Sequence, residues 1–315
     1  MVSNPVRKVL ATLSVAPLLL LAACGNGGSD ALSGGGGSGT KVVIAGQAFT
    51  ESEIMSEMYS ALLQKQGFST SIKTVQTRDV YTPLLEKGDV DVSADYLSSM
   101  TEFLNRDANG ANAKPVASSD VNATLAQLKK IGKPVGITPL KPAQAEDANA
   151  YAVTKKFADQ NHLTSLSDLG ALHEPVTLAA ASDCSERPEC GIGLKKTYGM
   201  DISKIEPLEF DTVQTKNAVK SGEVTLGQVA TSDGSLASLG LVVLQDDKNL
   251  QNAENLVPVV NSAFLKKNPK VATALDKLAS VLTTEDLKKL NAKVDVDREK
   301  ATTVADQYLK DKGLI

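Results

Sequence analysis

Tryptophan is absent from this sequence, and only six tyrosines and six phenylalanines occur in 315 residues. Aromatic rings are scarce, so each one outside an obvious core position needs a reason. Histidine is scarcer still. His162 and His173 are the only two, and neither sits in a recognisable catalytic or metal-ligand pattern. Ser-His-Asp catalysis and zinc chemistry both need placed imidazoles, so the reading is of a protein that is not an enzyme and carries neither metal nor cofactor. There is no basic patch and the formal net charge is −4, which argues against a nucleic-acid partner. Beyond the first two dozen residues no apolar run reaches the ~18–20 residues a membrane helix needs. Hydrophobic content of 42% and charged content of 22% are those of an ordinary globular chain.

The amino terminus is the exception. Arg7 and Lys8 give a basic start, and Val9 to Leu21 is almost wholly apolar. A charged start, a short apolar stretch and small residues at the cut describe a signal peptide, here residues 1–23. Leu21-Ala22-Ala23-Cys24 resembles the lipobox of bacterial lipoproteins, with the Cys24 thiol as the acceptor of lipid; the alternative is an ordinary signal peptide with an incidental cysteine. Removal of Arg7 and Lys8 takes the formal charge from −4 to about −6. Residues 24–40 form a Gly/Ser-rich linker. Such chains are flexible coils of about 5–6 Å × √n, which places the body roughly 20–24 Å from its anchor. The location implied is extracytoplasmic, on the outer face of a bacterial cell membrane. In that oxidising setting the remaining Cys184 and Cys190, separated by the polar Ser185-Glu186-Arg187-Pro188-Glu189, read as a disulfide. A redox or metal pair is the sharper alternative, and neither histidine has the spacing to support it.

The body alternates strands and helices. Lys41 to Ala45, with Val42, Val43 and Ile44, reads as a strand ending at Gly46. Thr50-x-x-Glu53 fits a capping box, followed by an apolar face of Ile54, Met55, Met58, Ala61 and Leu62 that stops at Gly67. A strand near Ser71 to Val75 leads to a short helix carrying Val80, Leu84 and Leu85, Gly88, and a strand with Val90 and Val92. A helix at Ser119 to Ile131 and a strand at Val135 to Thr138 continue the pattern. So do a strand at Val176 to Ala180, a helix at Thr212 to Ser221, and strands at Val224 to Val229 and Leu241 to Leu244. The last stretch, with Val271, Leu275, Leu278 and Leu282, is helical. This alternation predicts α/β layers around a largely parallel sheet. An internal echo adds to it. Glu86-Lys87-Gly88-Asp89-Val90-Asp91-Val92 and Lys220-Ser221-Gly222-Glu223-Val224-Thr225-Leu226 both read as helix, glycine stop, acidic residue and buried strand, each followed by a polar cluster. The carboxyl end of a strand is where open α/β sheets bind ligands, so two such units suggest two similar lobes facing one cleft.

Several segments, in this order and spacing, carry a family resemblance. They are Ile44-Ala45-Gly46-Gln47-Ala48-Phe49-Thr50-Glu51, Leu85 to Tyr96, Asn149-Ala150-Tyr151-Ala152, Thr231-Ser232-Asp233-Gly234 and Leu241 to Asp247. Together they resemble the substrate-binding proteins of osmoprotectant ABC transporters of the glycine betaine/choline/carnitine type, over nearly the whole body. The resemblance implies a type II periplasmic-binding fold of two α/β lobes joined by a two-crossover hinge. Lobe 1 would be 41–145 plus 245–315, and lobe 2 would be 146–244. It implies a monomeric receptor that closes on a small solute and delivers it to an ABC permease and ATPase. A quaternary ammonium has no N–H to donate and is held by aromatic faces, each worth about 0.5–2 kcal/mol. Tyr96 and Tyr151 fall where the family has cage tyrosines, with Phe49 in the first binding turn. Gln47, Thr77 and Asp79 lie near its polar ligand contacts, and Thr231 and Asp233 are the expected contacts from the second lobe. Three departures stand out: Val229 replaces a common aromatic, Asp95-Tyr96-Leu97-Ser98 replaces Glu-Tyr-Thr-Gly, and Gln76-Thr77-Arg78-Asp79 replaces a Gly-rich turn. The alternatives are the same fold on a less cationic solute, or a ligand-sensing lipoprotein without transport.

Overall fold

Two five-stranded sheets organise the described residues, 39–315, of the computed structural model. The signal peptide, Cys24 and nearly all of the linker lie outside the described residues. In chain order the strands are β1 (Lys41–Gln47), β2 (Ser69–Val75), β3 (Val92–Tyr96), β4 (Ile137–Pro139) and β5 (Asn149–Thr154). They continue as β6 (Pro175–Ala180), β7 (Asp201–Pro207), β8 (Leu226–Ala230), β9 (Leu241–Leu244) and β10 (Leu256–Asn261). The first sheet runs β2-β1-β3-β10-β4 and the second β7-β6-β8-β5-β9.

The two orders are one topology used twice. In the first sheet β1 pairs in parallel with β2 and β3, and β10 is antiparallel to both its neighbours. In the second, β6 pairs in parallel with β7 and β8, and β5 is antiparallel to both of its own. The sequence echo therefore marks equivalent corners. Helices Arg78–Lys87 and Val213–Ser221 each stop on a left-handed glycine, Gly88 and Gly222, and lead into β3 and β8. Asp91 N donates to Val43 O, and Thr225 N to Thr177 O, so both corners are tied to the sheet in the same way.

Helices Thr50–Lys65, Lys270–Ala279, Thr284–Asp295 and Ala301–Asp311 share one core with the first sheet. Helices Arg78–Lys87, Leu97–Asn109 and Val121–Gly132 share the core on its other face. The second sheet is covered on both faces by smaller clusters built around Tyr151, Leu178 and Leu226 and around Val219 and Val229. Each sheet with its helices is a lobe.

Each sheet is largely parallel, as the alternation implies, and takes one antiparallel strand next to a crossover between the lobes. β10 was not read at all: Pro258 sits inside it, and proline is normally confined to sheet edges, yet all six residues of this central strand are buried. The Thr50-x-x-Glu53 capping box does not form. Phe49 is the cap residue and makes no side-chain bond, while the Thr50 hydroxyl donates to Asp295 Oδ1 at 2.6 Å. A tertiary partner has taken the group that the local motif would use. Val80 is 46% exposed, and the helix Arg78–Lys87 buries Tyr81 and Leu85 instead.

Cys184 and Cys190 are bonded to each other, closing a loop just before helix Gly191–Tyr198. Glu189 within that loop accepts hydrogen bonds at its carbonyl from Tyr151 Oη (3.0 Å) and Gln251 Nε2 (2.7 Å). Closure of so short a loop contributes about 2 kcal/mol through the unfolded state. Replacing both cysteines by serine is expected to lower the melting temperature by roughly 4–8 °C, measured by calorimetry under oxidising conditions. An unchanged melting temperature would mean the loop is held by Glu189 alone.

Candidate functional site

The chain leaves the first sheet after β4 and returns to it before β10, and the two crossing segments pair with each other. Glu146 bridges Asn255 in antiparallel fashion, Asp147 N donates to Glu254 O at 3.0 Å and Leu256 N to Ala145 O at 2.9 Å. Two strands joined in this way bend together, which is the geometry of a hinge between lobes. Thr231 ties the second lobe to it: its hydroxyl donates to Glu146 O (3.0 Å) and accepts from Ala148 N (2.9 Å).

Beside this hinge the carboxyl ends of β1 and β8 face a hollow of about 540 Å³, within the usual range for small-molecule sites. Phe49, at the start of helix Thr50–Lys65, is 40% exposed on its wall, and so is Phe210 from the other lobe. Tyr96, at the end of β3, stacks on Phe49 with ring centroids 6.5 Å apart and planes 24° from parallel. The Tyr96 hydroxyl donates to Glu51 Oε1 at 2.7 Å. The other Glu51 oxygen accepts from Asn291 Nδ2 (2.8 Å), which also reaches across the lobes to Ser232 O (3.0 Å). A half-buried and an exposed ring thus meet a buried carboxylate, Glu51, on one wall.

The electrostatics are those of a site short of positive charge. Five carboxylates line it (Glu51, Asp147, Asp211, Asp233 and Asp295) against one lysine, Lys216. Burial, with Glu51 and Asp211 nearby, pushes Asp147 up to about 7 despite a hydrogen bond from Ser232 Oγ. Burial and the Asp233 charge push Asp211 up to about 7 as well. Burial works against Asp233 too, but hydrogen bonds from Lys216 and the Ser235 amide outweigh it and hold that carboxyl below its ordinary range. On the hinge, Glu254 is raised to about 7 by burial even though it accepts from Ser99 N and Oγ. Carboxyls held near neutrality by burial are the groups that gain most from a cation beside them.

The residues singled out in the sequence do not all gather here. Phe49 and Asp233 line the hollow, and Tyr96 supports it through Phe49 and Glu51. Gln47 lies on a separate hollow with Glu53, Glu57 and Ile72. Thr77 and Asp79 are exposed at the start of helix Arg78–Lys87 and line neither of these two hollows. Their neighbours Arg78 and Tyr81 are engaged with the fully buried Asp95, the arginine through Nε and Nη2 and the tyrosine through its hydroxyl. Tyr151 is fully buried in the second lobe, with its ring spent on core packing and its hydroxyl on Glu189. Together with Thr231 it borders a further hollow of about 440 Å³ beside the crossovers. That space is walled by a mixture of apolar side chains, amides such as Asn149 and Gln251, and the charged Glu146, Asp246 and Lys288, and it has no exposed ring, whereas the first has two. Sequence reasoning missed Glu51, Asp147, Phe210, Asp211, Lys216, Ser232 and Asn291. Phe210 had a signal: it is a rare aromatic after β7, the equivalent of the turn after β2 in the other lobe.

Residues 40–311 match the family model described as the substrate binding domain of ABC-type glycine betaine transport systems. The chain belongs to this family. A relative, the glycine-betaine-binding protein of Pseudomonas aeruginosa, is 27% identical over 86% of this chain and 88% of its own length. The carnitine transport binding protein OpuCC of Listeria monocytogenes is 24% identical over 96% of each chain. The solved apo structure of YehZ from Escherichia coli is 26% identical, covers 88% of this chain and all of that one, and superposes with a TM-score of 0.75. The fold is that of the type II periplasmic-binding proteins. Members of the family are substrate-binding components of ABC transporters rather than enzymes, and as parts of importers they work outside the cytoplasm. Among the described residues no helix is long and apolar enough to cross a membrane.

Proposed function

We propose that this chain is the solute receptor of an ABC importer for quaternary ammonium compounds, with the interlobe hollow as its binding site. The observation that carries this reading is the meeting of Phe49, backed by Tyr96, and Phe210 with Asp147 and Asp211 in one space. Aromatic faces attract a cation that has no N–H to donate, and the buried carboxylates add charge without requiring a hydrogen bond. Closure follows from differential contact: a solute touched by both lobes favours the state in which both reach it. The moving bodies are 41–145 with 245–315, and 146–244. Lipid on Cys24 and the Gly/Ser linker hold a monomer near its permease and ATPase without embedding it. In cells fed labelled palmitate, Cys24→Ser is expected to lose the label and leave the membrane fraction; a labelled variant would overturn the anchor.

The binding test is thermal stabilisation by betaine, choline, carnitine and proline betaine. At a hundred times Kd the stabilisation is about 2.7 kcal/mol; no shift with any of them at millimolar levels sinks the reading. The pH dependence has a definite sign. A bound cation favours the ionised carboxyls and so lowers their pKa values from about 7. Affinity should therefore rise as pH increases from about 5 to 8 and level off above, by up to tenfold per unit for each carboxyl in linkage. Titration calorimetry across that range checks it, and a flat profile would remove Asp147 and Asp211 from the site.

A further inference from the structure

We propose that Arg78 and Asp95 are positioning residues of the solute site, fixing Tyr96 and through it the Phe49 ring and the Glu51 carboxylate that line the hollow. This deepens the receptor reading and rests on it. Asp95 is fully buried near the end of β3, and four donors converge on its two oxygens. Oδ1 accepts from Arg78 Nη2 at 2.5 Å and from the Tyr96 amide at 2.6 Å. Oδ2 accepts from Arg78 Nε at 2.8 Å and from the Tyr81 hydroxyl. Arg78 and Tyr81 share helix Arg78–Lys87, so that helix grips the strand end through one carboxylate. A fork of two N–H groups on a carboxylate fixes direction as well as distance. A buried pair of this kind adds little net stability compared with apolar residues of the same volume, which leaves placement as its use.

What is placed is Tyr96. Its amide is held by Asp95, its hydroxyl donates to Glu51 Oε1 at 2.7 Å, and its ring stacks on Phe49. The residues just after it are fixed from the other side. Leu97 N donates to Asn255 O (3.0 Å), Ser98 Oγ to Ala253 O (2.7 Å) and Ser99 Oγ to Glu254 Oε1 (2.8 Å), all on the segment that returns from the second lobe. Tyr96 therefore stands between the hinge and the Arg78–Asp95 pair. These hinge bonds begin at Leu97, one residue past the ring, whereas Asp95 holds the Tyr96 amide itself. Loss of the fork lets the last residue of β3 turn, and that moves the stacking partner of Phe49 and the donor to Glu51 together. Affinity for a cation falls with them, because a ring face attracts it only at close range.

The test is a double-mutant cycle read by titration calorimetry with choline and with glycine betaine. Arg78→Lys keeps the charge but offers one ammonium where the fork had two N–H groups, and is expected to weaken binding about fivefold or more. Tyr96→Leu is expected to weaken it about tenfold or more, and the two together no more than Tyr96→Leu alone. A loss of stability does not give this pattern, since it leaves the dissociation constant of the folded protein unchanged. If Tyr96→Leu fails to fold, Phe49→Leu replaces it in the cycle, because that ring is exposed and lies on the same path. Tyr81→Phe, which takes another donor from Asp95, replaces Arg78→Lys in the same way. Unchanged affinity in Arg78→Lys, or losses that add in the double variant, overturns the proposal and leaves the receptor reading intact. No binding of either compound by the unmodified protein removes the receptor reading and the proposal with it.

Discussion

Replacing Gly234 by valine is expected to reduce solute affinity by more than tenfold while leaving both lobes folded. Gly234 follows Asp233 at the end of β8 and lies against helix Thr284–Asp295 of the other lobe. A Cβ at this position would stand 2.3 Å from Ala292 N, 2.5 Å from Lys288 O and 2.7 Å from Ala292 Cα. These are backbone atoms of a helix packed on the first-lobe core, so they cannot swing aside as a side-chain tip would. Nothing in the glycine's own backbone resists substitution, since its φ is not in the left-handed region. The added side chain must instead move the lobes apart at this point. A solute that needs both walls then loses one of them, and each tenfold loss is about 1.4 kcal/mol. The unliganded melting temperature should change little by comparison. Unchanged affinity in calorimetry would mean that the Gly234 contact is not part of the closed state.

Asp147→Asn should move stability and affinity in opposite directions. The amide keeps an oxygen for Ser232 Oγ, which donates to Asp147 Oδ1 at 2.8 Å, and removes a charge that burial and Glu51 make unfavourable. The folded pKa is raised to about 7, above the value of about 3.9 in an unfolded chain. Between these values the folded protein binds a proton that the unfolded chain does not. The carboxyl therefore lowers stability progressively as pH rises from about 4 to 7, and by a constant amount above. Asparagine does not titrate, so its advantage grows over the same window, up to about 4 kcal/mol at pH 8. The unliganded variant should melt several degrees higher at pH 8 and level with the parent at pH 4. Cation affinity should fall by tenfold or more, because a charge facing the solute is gone, and part of its pH dependence should go with it. A variant that melts higher yet binds as tightly would place the cation away from Asp147.

The two changes test different parts of one arrangement, the approach of the lobes and the charge between them. Neither was visible along the chain. Gly234 belonged to a motif expected to contact ligand, and its role emerges only against a helix nearly sixty residues further on. Asp147 and Glu51 are far apart in sequence and meet because the hinge brings the start of the second lobe up to the first helix of the first lobe.

What the sequence determined by itself was local and repetitive. Strands such as Val176 to Ala180 and Leu241 to Leu244 were legible because short apolar runs between turn residues have few other solutions. Gly88 and Gly222 marked two equivalent corners because left-handed helix ends favour glycine. The low aromatic content put attention on Phe49 and Tyr96, which stack on each other beside the hollow. Only the tertiary structure decided which groups share a space. Tyr151 turned inward because β5 is a central strand covered on both faces, and Gln47 went to another wall of its lobe. Phe210 and Asp211 joined the hollow from the turn after β7, and Asn291 from helix Thr284–Asp295 of the other lobe. Propensity and periodicity act over a few residues, while a cleft between lobes is assembled by contacts that span the chain.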